Sequence, residues 1–358
     1  RGAQLDMQEM NYTIKVSANE SALGDSLSIE EHCAERGYPF NDLVKAVKTD
    51  AGFGKAREFV AYVEDVQVFS EGFLAIPSGT MIRGLSQANY GSGIAAKLDG
   101  CVRREAEEEI DEAVLCWGDA NFGHFIFQYL TRMAQCLTMP FLMDKPVLLK
   151  RGLPQGYRDW LKKLGFSRFV EAGEWVKVKR LWVPAICNYR GQFEDTKPYI
   201  SGNACATVRG RVLAKHGPGP EMVYITRRNA AHRRVLNEAE LISALDGFTV
   251  VDMAGMSVQE QVDTVASAKV IVIAAGASSP ITMFAPETCK VVELINADMK
   301  GVFGSMAWAY VLGQDFSRFR GDTVIDDGNP INRNFTVDVG AVVAEVFVNE
   351  VEKVAQAA

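Results

Sequence analysis

The sequence contains no apolar run that approaches the roughly 18 residues of a membrane-spanning helix. Its first residues, RGAQLDMQEMNYT, include no apolar core of the kind found in signal peptides. We therefore expect a cytoplasmic protein. If it associates peripherally with a membrane, we expect it at the inner membrane surface. An anchor removed before Arg1 would instead indicate the secretory lumen.

The seven cysteines form no Cys-x-x-Cys pair, and their number is odd. Most are flanked by apolar residues, as in VLCW and MAQCL. This pattern predicts small buried side chains in a reducing compartment, and it argues against a disulfide framework or a zinc site.

Positive charge is not in excess, because 38 Lys and Arg residues are outnumbered by 45 Asp and Glu residues. A nucleic-acid-binding protein usually has a basic domain, so no nucleic-acid partner is expected. No strand pattern is followed by Gly-x-Gly-x-x-Gly, which argues against a dehydrogenase. The chain also lacks Asp-x-Asp, so it offers no such carboxylate pair for a divalent metal ion.

The length of 358 residues predicts two domains of about 150 residues each, with smaller additions. Changes in pattern indicate an N-terminal arm or cap (1–58), an α/β domain (59–200), a second α/β domain (201–330) and a C-terminal helix (331–358). The boundary between the two α/β domains falls in the polar, turn-rich stretch 188–204.

Short apolar runs alternate with helical patterns in both predicted domains. In the first, a β-meander pattern over 62–84 precedes AVLCW, KPVLLK, RFVEA and KRLWVP, while the acidic run 105–112 is expected to be a solvated face. In the second, helical segments separate EMVYIT, TVVDM, KVIVIAA and KVVELIN. The predicted class is therefore α/β, with two Rossmann-like domains that face each other across a cleft.

The segment YITRRNAAHRR carries four arginines where a strand pattern changes to a helical one. Ligands of a parallel sheet bind at the carboxyl ends of its strands, and guanidinium groups bind phosphate through paired hydrogen bonds. The cluster therefore predicts phosphate contacts, first from Arg227 and Arg234 and then from Arg228 and Arg233. A solvated patch of surface charge is the alternative.

Downstream, VIVIAAGASSPIT is a buried strand pattern followed by a glycine turn and a helix start. Ser278 and Ser279 are favoured N-cap residues, and Pro280 suits the first helical turn. Free N–H groups at a helix N-terminus bind anions, so the backbone from Gly276 and Ala277 to Ser279 is expected to complete a diphosphate pocket. Ordinary loop chemistry is the alternative.

An ordered set of short segments resembles glycosyltransferase family 61, over residues 60 to 325. A segment NFGHFIFQYLTRM looks like the family's Asn-x-x-His segment, which is followed by Leu-x-Arg. The other matching segments are Tyr224–Arg227, Arg234–Glu238, Glu260–Gln261, Ala266–Ala268, Gly276–Ala277, Phe284–Pro286 and Val291–Leu294.

This resemblance implies a GT-B architecture and an inverting, metal-independent transfer of sugar from a nucleotide-sugar, a UDP-sugar in particular, to a glycan hydroxyl. The N-terminal domain would hold the acceptor and the C-terminal domain the nucleotide, in the synthesis of a surface polysaccharide. No cofactor is implied, because the cationic residues would stabilise the leaving phosphate in place of a metal ion.

The turn DANFGH supplies the candidates for the general base that inversion requires. His124 is the first choice because imidazole titrates near neutral pH, and Asp119 would either orient it or act as the base itself. A simple helix cap is the alternative for this turn. Asn121 and Asn237, in the matching segments, are expected to contact substrate, and Glu293 to bind the ribose at a strand end.

Two positions depart from the family's pattern. The family's His before Gly-Ala is Ala275 here, and the Asn of the following helix is Ile281. These departures keep a second hypothesis open, a non-catalytic relative that binds a nucleotide or a glycan. A third is a different two-domain enzyme, such as a polysaccharide pyruvyltransferase.

Overall fold

A computed structural model describes residues 13–16, 60–69, 72–75, 106–189, 199–299, 304–324 and 328–347. The chain divides into two compact units, Arg1–Arg211 (unit 1) and Val212–Ala358 (unit 2). The predicted arm over 1–58 lies outside the described residues, apart from one short strand. Each unit is described by itself.

Unit 1 is built around a mixed sheet. Its strands are β1 Thr13–Val16, β2 Val60–Phe69, β3 Phe73–Ala75, β4 Glu108–Trp117, β5 Val147–Lys150, β6 Phe169–Ala172 and β7 Trp175–Pro184. The order is β1-β2-β7-β4-β5-β6, and β3 also pairs with β2. Strands β7, β4, β5 and β6 are mutually parallel, whereas β2 runs antiparallel to β7 and to β3. A separate short ladder joins β8 Asn188–Tyr189 to β9 Tyr199–Ile200.

Strand β4 has two unlike halves. Its first half carries the acidic run that was predicted as a solvated face, and Glu109 and Asp111 are exposed there, each 2.9 Å from Lys179 Nζ on β7. Its second half, Ala113–Trp117, is wholly buried in the core of unit 1. The acidic run is therefore an ion-paired part of the strand as well as a solvated surface.

The helices of unit 1 are short around the end of β4 and regular elsewhere. They are α1 Phe122–His124, a π-helical segment Phe125–Leu130, α2 Ala134–Leu137, α3 Pro140–Met143, α4 Gln155–Leu164 and α5 Gly202–Leu213. The single helix predicted from HFIFQYLTRMAQCL is thus broken into pieces. Helix α4 ends at Gly165, whose φ of 108° suits glycine at a helix C-terminus.

Unit 2 is built around a second, mostly parallel sheet. Its strands are β10 Met222–Ile225, β11 Thr249–Val251, β12 Val270–Ala274, β13 Lys290–Asn296, β14 Asp315–Thr323 and β15 Phe335–Thr336. The order is β11-β10-β12-β13-β14-β15, and only the last pair is antiparallel. Each of the seven residues of β13 is buried, as in the central strands of parallel sheets.

The helical segments of unit 2 connect these strands. They are α6 Glu238–Ala244, α7 Val258–Ala266, α8 Gly304–Leu312, the 3₁₀ turns Ser279–Phe284 and Pro330–Asn332, and a helical stretch over 339–347. Helix α7 begins with a capping box, in which the Ser257 hydroxyl and the Glu260 carboxylate each accept from the other residue's backbone N–H. The predicted α/β class, with a parallel-rich sheet in each half, is confirmed.

Candidate functional site

Strand β4 ends in a strained turn just before Asp119. The ladder with β5 shifts register between Leu115 and Trp117, which marks a β-bulge. The buried Trp117 has a φ of 64° and Gly118 a φ of 113°, and a bulky side chain rarely occupies that left-handed region. Bulges and strained residues concentrate at functional sites, where they redirect the following side chain.

Asp119 and His124 form a hydrogen-bonded pair. His124 Nδ1 lies 2.8 Å from Asp119 Oδ2, and the two side chains are only 16% and 13% exposed. Asp119 Oδ1 accepts from the Asn121 N–H at 2.7 Å, and Oδ2 also accepts from the Tyr129 hydroxyl at 3.4 Å. Because Nδ1 is engaged by a carboxylate, Nε2 is the ring nitrogen left to exchange a proton with a ligand.

Asn121 holds the turn between the two members of this pair. It is the N-cap of α1, where its Oδ1 accepts from the His124 N–H at 3.2 Å. This contact fixes the backbone that carries His124. The substrate contact expected of Asn121 stays a prediction.

The segment after His124 packs the pair against the core. All six residues of the π-helical segment are buried, and π turns occur frequently at functional sites. The ring of Phe125 stacks on Tyr157, with centroids 3.9 Å apart and 14° between the planes. The carbonyl of Phe127 accepts from Thr131 Oγ1 at 2.7 Å and from Asn188 Nδ2 at 2.9 Å. His124 therefore directly precedes a segment that is buried and held by side-chain hydrogen bonds.

In unit 2, the strand order brings the arginine cluster and the glycine turn together. Counted from the first strand of the unit, the parallel strands lie in the order 2-1-3-4-5. In this doubly wound order, the crevice for ligands opens at the carboxyl ends of the first and third strands, here β10 and β12. The arginine cluster follows β10, and the glycine turn follows β12.

Arg227 lies directly against Gly276. A Cβ atom built on Gly276 would overlap the Arg227 guanidinium, so only glycine leaves this space open. Arg227 Nη2 donates to the His232 carbonyl at 3.1 Å, and Arg227 Nε is buried without a hydrogen-bond partner among the described groups. The two motifs predicted to share a phosphate pocket are therefore in contact.

Arg233 adds a second cation next to Arg227. Burial lowers the pKa of Arg227 to about 10, and the positive charge of Arg233 contributes to the shift. Burial also lowers the pKa of Arg233, whose backbone has a φ of 58° and whose Nε is likewise buried and unpaired within the described part of the chain. No carboxylate of the described segments pairs with either side chain. Two partly buried like charges without a counterion are typical of an anion site.

The glycine turn offers fewer free N–H groups than a helix N-terminus would. The helix predicted after it is a 3₁₀ turn of six residues, Ser279–Phe284. The Gly276 N–H already donates to Ser279 Oγ at 2.8 Å, and the Ser279 N–H donates to the Gly276 carbonyl at 3.1 Å. Only Ala277 and Ser278 keep N–H groups for which no acceptor is seen in the described segments.

The other two arginines differ in their surroundings. Arg228 Nε lies 3.2 Å from Glu238 Oε2, and this buried carboxylate also accepts from Tyr224 and Thr226. The sequence interpretation gave Glu238 no role in the site, although Glu238 ends the matching segment Arg234–Glu238 and the solvated acid Glu240 lies outside that segment. Arg228 is thus ion-paired. The Arg234 side chain is exposed, and its backbone N–H donates to Asn334.

Asn237 and Glu293 have surroundings that differ from those expected. Both ends of the Asn237 amide bond the backbone of Val337, at 2.8 and 3.0 Å, so we leave Asn237 out of the proposed site. The placement of Glu293 at a strand end is wrong, because β13 continues through Asn296. Glu293 is fully buried, burial raises its pKa, and its Oε2 accepts from Arg318 Nε at 2.9 Å, which opposes that rise.

Among the described residues, no three His, Cys, Asp or Glu side chains lie close enough together to hold a metal ion. Five cysteines (Cys116, Cys136, Cys187, Cys205 and Cys289) are buried free thiols, as the sequence predicts, while Cys33 and Cys101 lie outside the described residues. No helix in the described segments has the length and apolar character of a membrane span.

The two departures from the family's pattern are both buried, with Ala275 2% exposed and Ile281 1% exposed. No curated protein matches the chain significantly. The family model described as Glycosyltransferase 61 matches residues 122–292, a range that includes His124, the arginine cluster and the glycine turn. The resemblance drawn from the sequence is therefore confirmed, and the chain carries a glycosyltransferase 61 domain over residues 122–292.

Proposed function

We propose that the protein transfers a sugar from a nucleotide-sugar, a UDP-sugar in particular, to a hydroxyl group of a glycan acceptor. The family match supports sugar transfer. One observation carries the class of donor: Arg227 and Arg233 lie close together at the carboxyl end of β10, partly buried and without a carboxylate among the described residues. Such a pair favours an anion of more than one charge, and a nucleoside diphosphate supplies one.

The donor phosphates bind at the ends of β10 and β12 in this proposal. The guanidinium groups and the N–H groups of Ala277 and Ser278 surround the diphosphate. Negative charge builds on the leaving phosphate oxygen as the bond from the sugar breaks, and fixed donors stabilise that charge without rearranging. Each charge-assisted hydrogen bond contributes roughly 1.5–3 kcal/mol. Arg228 stays with Glu238 and sets the backbone next to Arg227.

His124 is the proposed general base. Its Nε2 takes the proton of the acceptor hydroxyl, the hydroxyl oxygen attacks the anomeric carbon from the face opposite the phosphate, and the nucleoside diphosphate leaves with the bonding electron pair. This single displacement inverts the configuration at the anomeric carbon. The carboxylate of Asp119, 2.8 Å from Nδ1, holds the ring and stabilises the imidazolium that forms.

We further propose that transfer needs no metal ion and that the architecture is GT-B, with a Rossmann-like domain for each substrate. Metal independence is supported by the two arginines, whose positive charge can stabilise the leaving group as a divalent cation would. The GT-B architecture is supported by the parallel-rich sheet in each unit. Unit 1, which carries the base, would receive the acceptor.

Calorimetric titration with UDP, UMP and uridine tests the donor site. We expect UDP to bind more tightly than UMP, and UMP more tightly than uridine, because each phosphate adds contacts with the arginines. Arg227→Ala should weaken UDP binding by roughly 1.5–3 kcal/mol. It should not lower the thermal unfolding midpoint, because it removes an unpaired and partly buried charge.

Lys269→Ala is the matched control, since Lys269 is an exposed cation of unit 2 that precedes β12 and pairs with Glu221 at 2.8 Å. It should leave UDP binding unchanged. If Arg227→Ala binds UDP as the parent protein does, the arginines are surface charge and the donor site lies elsewhere.

A further inference from the structure

The carboxylate of Asp119 has one acceptor position to spare. An ionised carboxylate offers about four lone-pair positions. Three are taken, by the N–H of Asn121, Nδ1 of His124 and the hydroxyl of Tyr129. The last of these contacts is long, at 3.4 Å. Asp119 can therefore accept one more hydrogen bond.

The Tyr157 hydroxyl is a donor in need of an acceptor. Tyr157 is 3% exposed, and its hydroxyl makes no hydrogen bond with any described group. A buried hydroxyl without a partner is unfavourable, and native structures contain few of them. The Tyr157 hydroxyl therefore lowers the stability of the fold unless another conformation of the protein gives it an acceptor.

The fold brings Tyr157 to the Asp119–His124 pair. Strand β5 is the parallel neighbour of β4, so the segments that follow the two strands leave the same edge of the sheet. Tyr157 lies in the first turn of α4, which follows β5, and its ring packs against Phe122, at 6.4 Å between centroids, and Phe125, at 3.9 Å. Phe122 lies two residues before His124, and Phe125 directly follows it.

An electrostatic observation supports the same placement. Burial raises the pKa of Tyr157, and the negative charge of Asp119 raises it further. The hydroxyl therefore lies within the field of the carboxylate and stays protonated, as a donor must.

We propose that Tyr157 is a positioning residue, whose hydroxyl donates to the remaining acceptor position of Asp119 and holds the carboxylate against His124 in the working enzyme. Its role rests on the proposed function, because Asp119 acts there through the histidine. Tyr129, on the π-helical segment, and Tyr157, on α4, are two titratable groups that act on Asp119. In this proposal, the hydroxyls of Tyr129 and Tyr157 both donate to Asp119 from two different elements.

Histidine-labelled NMR titration of the whole chain tests this without any substrate. The protein has four histidines, and His124→Gln identifies the signal of interest. A hydrogen bond from Tyr157 weakens the negative charge that the Asp119 carboxylate presents to His124. When that hydrogen bond is removed, Asp119 stabilises the protonated form of His124 more strongly. Tyr157→Phe, which keeps the ring, should therefore raise the measured titration midpoint of His124 above that of the parent protein.

Two variants make the result specific. Tyr62→Phe removes a hydroxyl from β2, which lies on the opposite side of β4 from β5 in the sheet. It should leave the titration midpoint of His124 unchanged. In Asp119→Asn, adding Tyr157→Phe should produce no further shift, since the effect passes through the carboxylate. An unshifted midpoint in folded Tyr157→Phe, or an equal shift in the Asp119→Asn background, overturns the proposal.

Kinetics separate this inference from the proposed function. With a donor in hand, Tyr157→Phe should lower kcat several-fold, leave the donor KM unchanged and move the acidic limb of the pH profile to higher pH. A wild-type protein that transfers no sugar would overturn the proposed function, while the NMR result would still decide whether Tyr157 bonds Asp119.

Discussion

Arg227 can lie against residue 276 because that residue has no side chain. Gly276→Ala should therefore push the Arg227 guanidinium out of its position and weaken UDP binding about as much as Arg227→Ala does. The backbone of Gly276 lies outside the left-handed region, so folding should be kept. Calorimetry and thermal unfolding measure the two effects.

Gly340→Ala is the control for that change, because a Cβ on Gly340 would lie 3.4 Å from Asp338 Oδ1, an ordinary contact, in the helical stretch 339–347. It should bind UDP normally. Unchanged UDP affinity in Gly276→Ala would mean that the guanidinium contributes from another position or not at all.

His124 and Asp119 are separable by their expected roles. A general base typically contributes ~10²–10⁴-fold to turnover, so His124→Ala should lose that factor while UDP affinity stays the same. Asp119→Asn should lose less, because an amide can still hold the ring through its oxygen. A larger loss for Asp119→Asn would make Asp119 the base, and near-normal turnover in both would return the turn to a structural role.

Single residues also show the limit of sequence interpretation. Four arginines in one segment predicted a phosphate site, but their roles depend on partners that lie elsewhere in the fold. Arg228 is ion-paired because its Nε lies 3.2 Å from Oε2 of Glu238, the buried first residue of α6. Arg233 has a left-handed backbone conformation and lies near enough to Arg227 for its charge to lower the pKa of Arg227, and no pattern of charge predicts either fact. Arg234 was preferred for its position at a predicted helix start; its side chain is exposed, and its phosphate contact stays a prediction.

At the scale of elements, the end of β4 governs where Asp119 lies. Gly118 has a φ of 113°, and a Cβ there would lie 3.0 Å from Leu153 Cδ1. Gly118→Ala should therefore lower the free energy of unfolding by about 1–3 kcal/mol and should also lower turnover, because the turn carries Asp119. Chemical denaturation and a transfer assay measure the two.

Gly210→Ala serves for comparison, since a Cβ on Gly210 in α5 would meet nothing within 4 Å. Alanine is the better helix former, so stability should hold or rise. If Gly118→Ala is as stable and active as Gly210→Ala, the strained turn does not set the geometry of the pair.

The elements that the sequence predicted are those with apolar runs. AVLCW, KPVLLK, KVIVIAA and KVVELIN all form buried strands, since burial on both faces requires such runs. Strand β14 was missed because DFSRFRGDT is polar and only partly buried, although it pairs with β13 over seven residues. The helix predicted after His124 was interrupted by a π-helical segment, whose apolar spacing resembles that of an α-helix.

For the whole molecule, the residues proposed for donor binding and those proposed for proton transfer belong to different units. The arginines lie in unit 2, and the Asp119–His124 pair lies in unit 1. Substitutions in one should therefore leave the function of the other intact: Arg227→Ala should spare the His124 titration, and His124→Ala should spare UDP binding. The predictions for UDP binding and for proton transfer can therefore be tested separately.

In the proposed function, two arginines replace a metal ion in transfer from a nucleotide-sugar. The most direct measurement is product formation from a panel of UDP-sugars in excess EDTA, by the parent protein and by Arg227→Ala. We expect the parent to transfer sugar at the same rate with and without EDTA, and Arg227→Ala to be at least ~10-fold slower, as a loss of about 1.4 kcal/mol implies. Activity that disappears in EDTA and returns with Mn²⁺, or full activity in Arg227→Ala, would contradict this expectation.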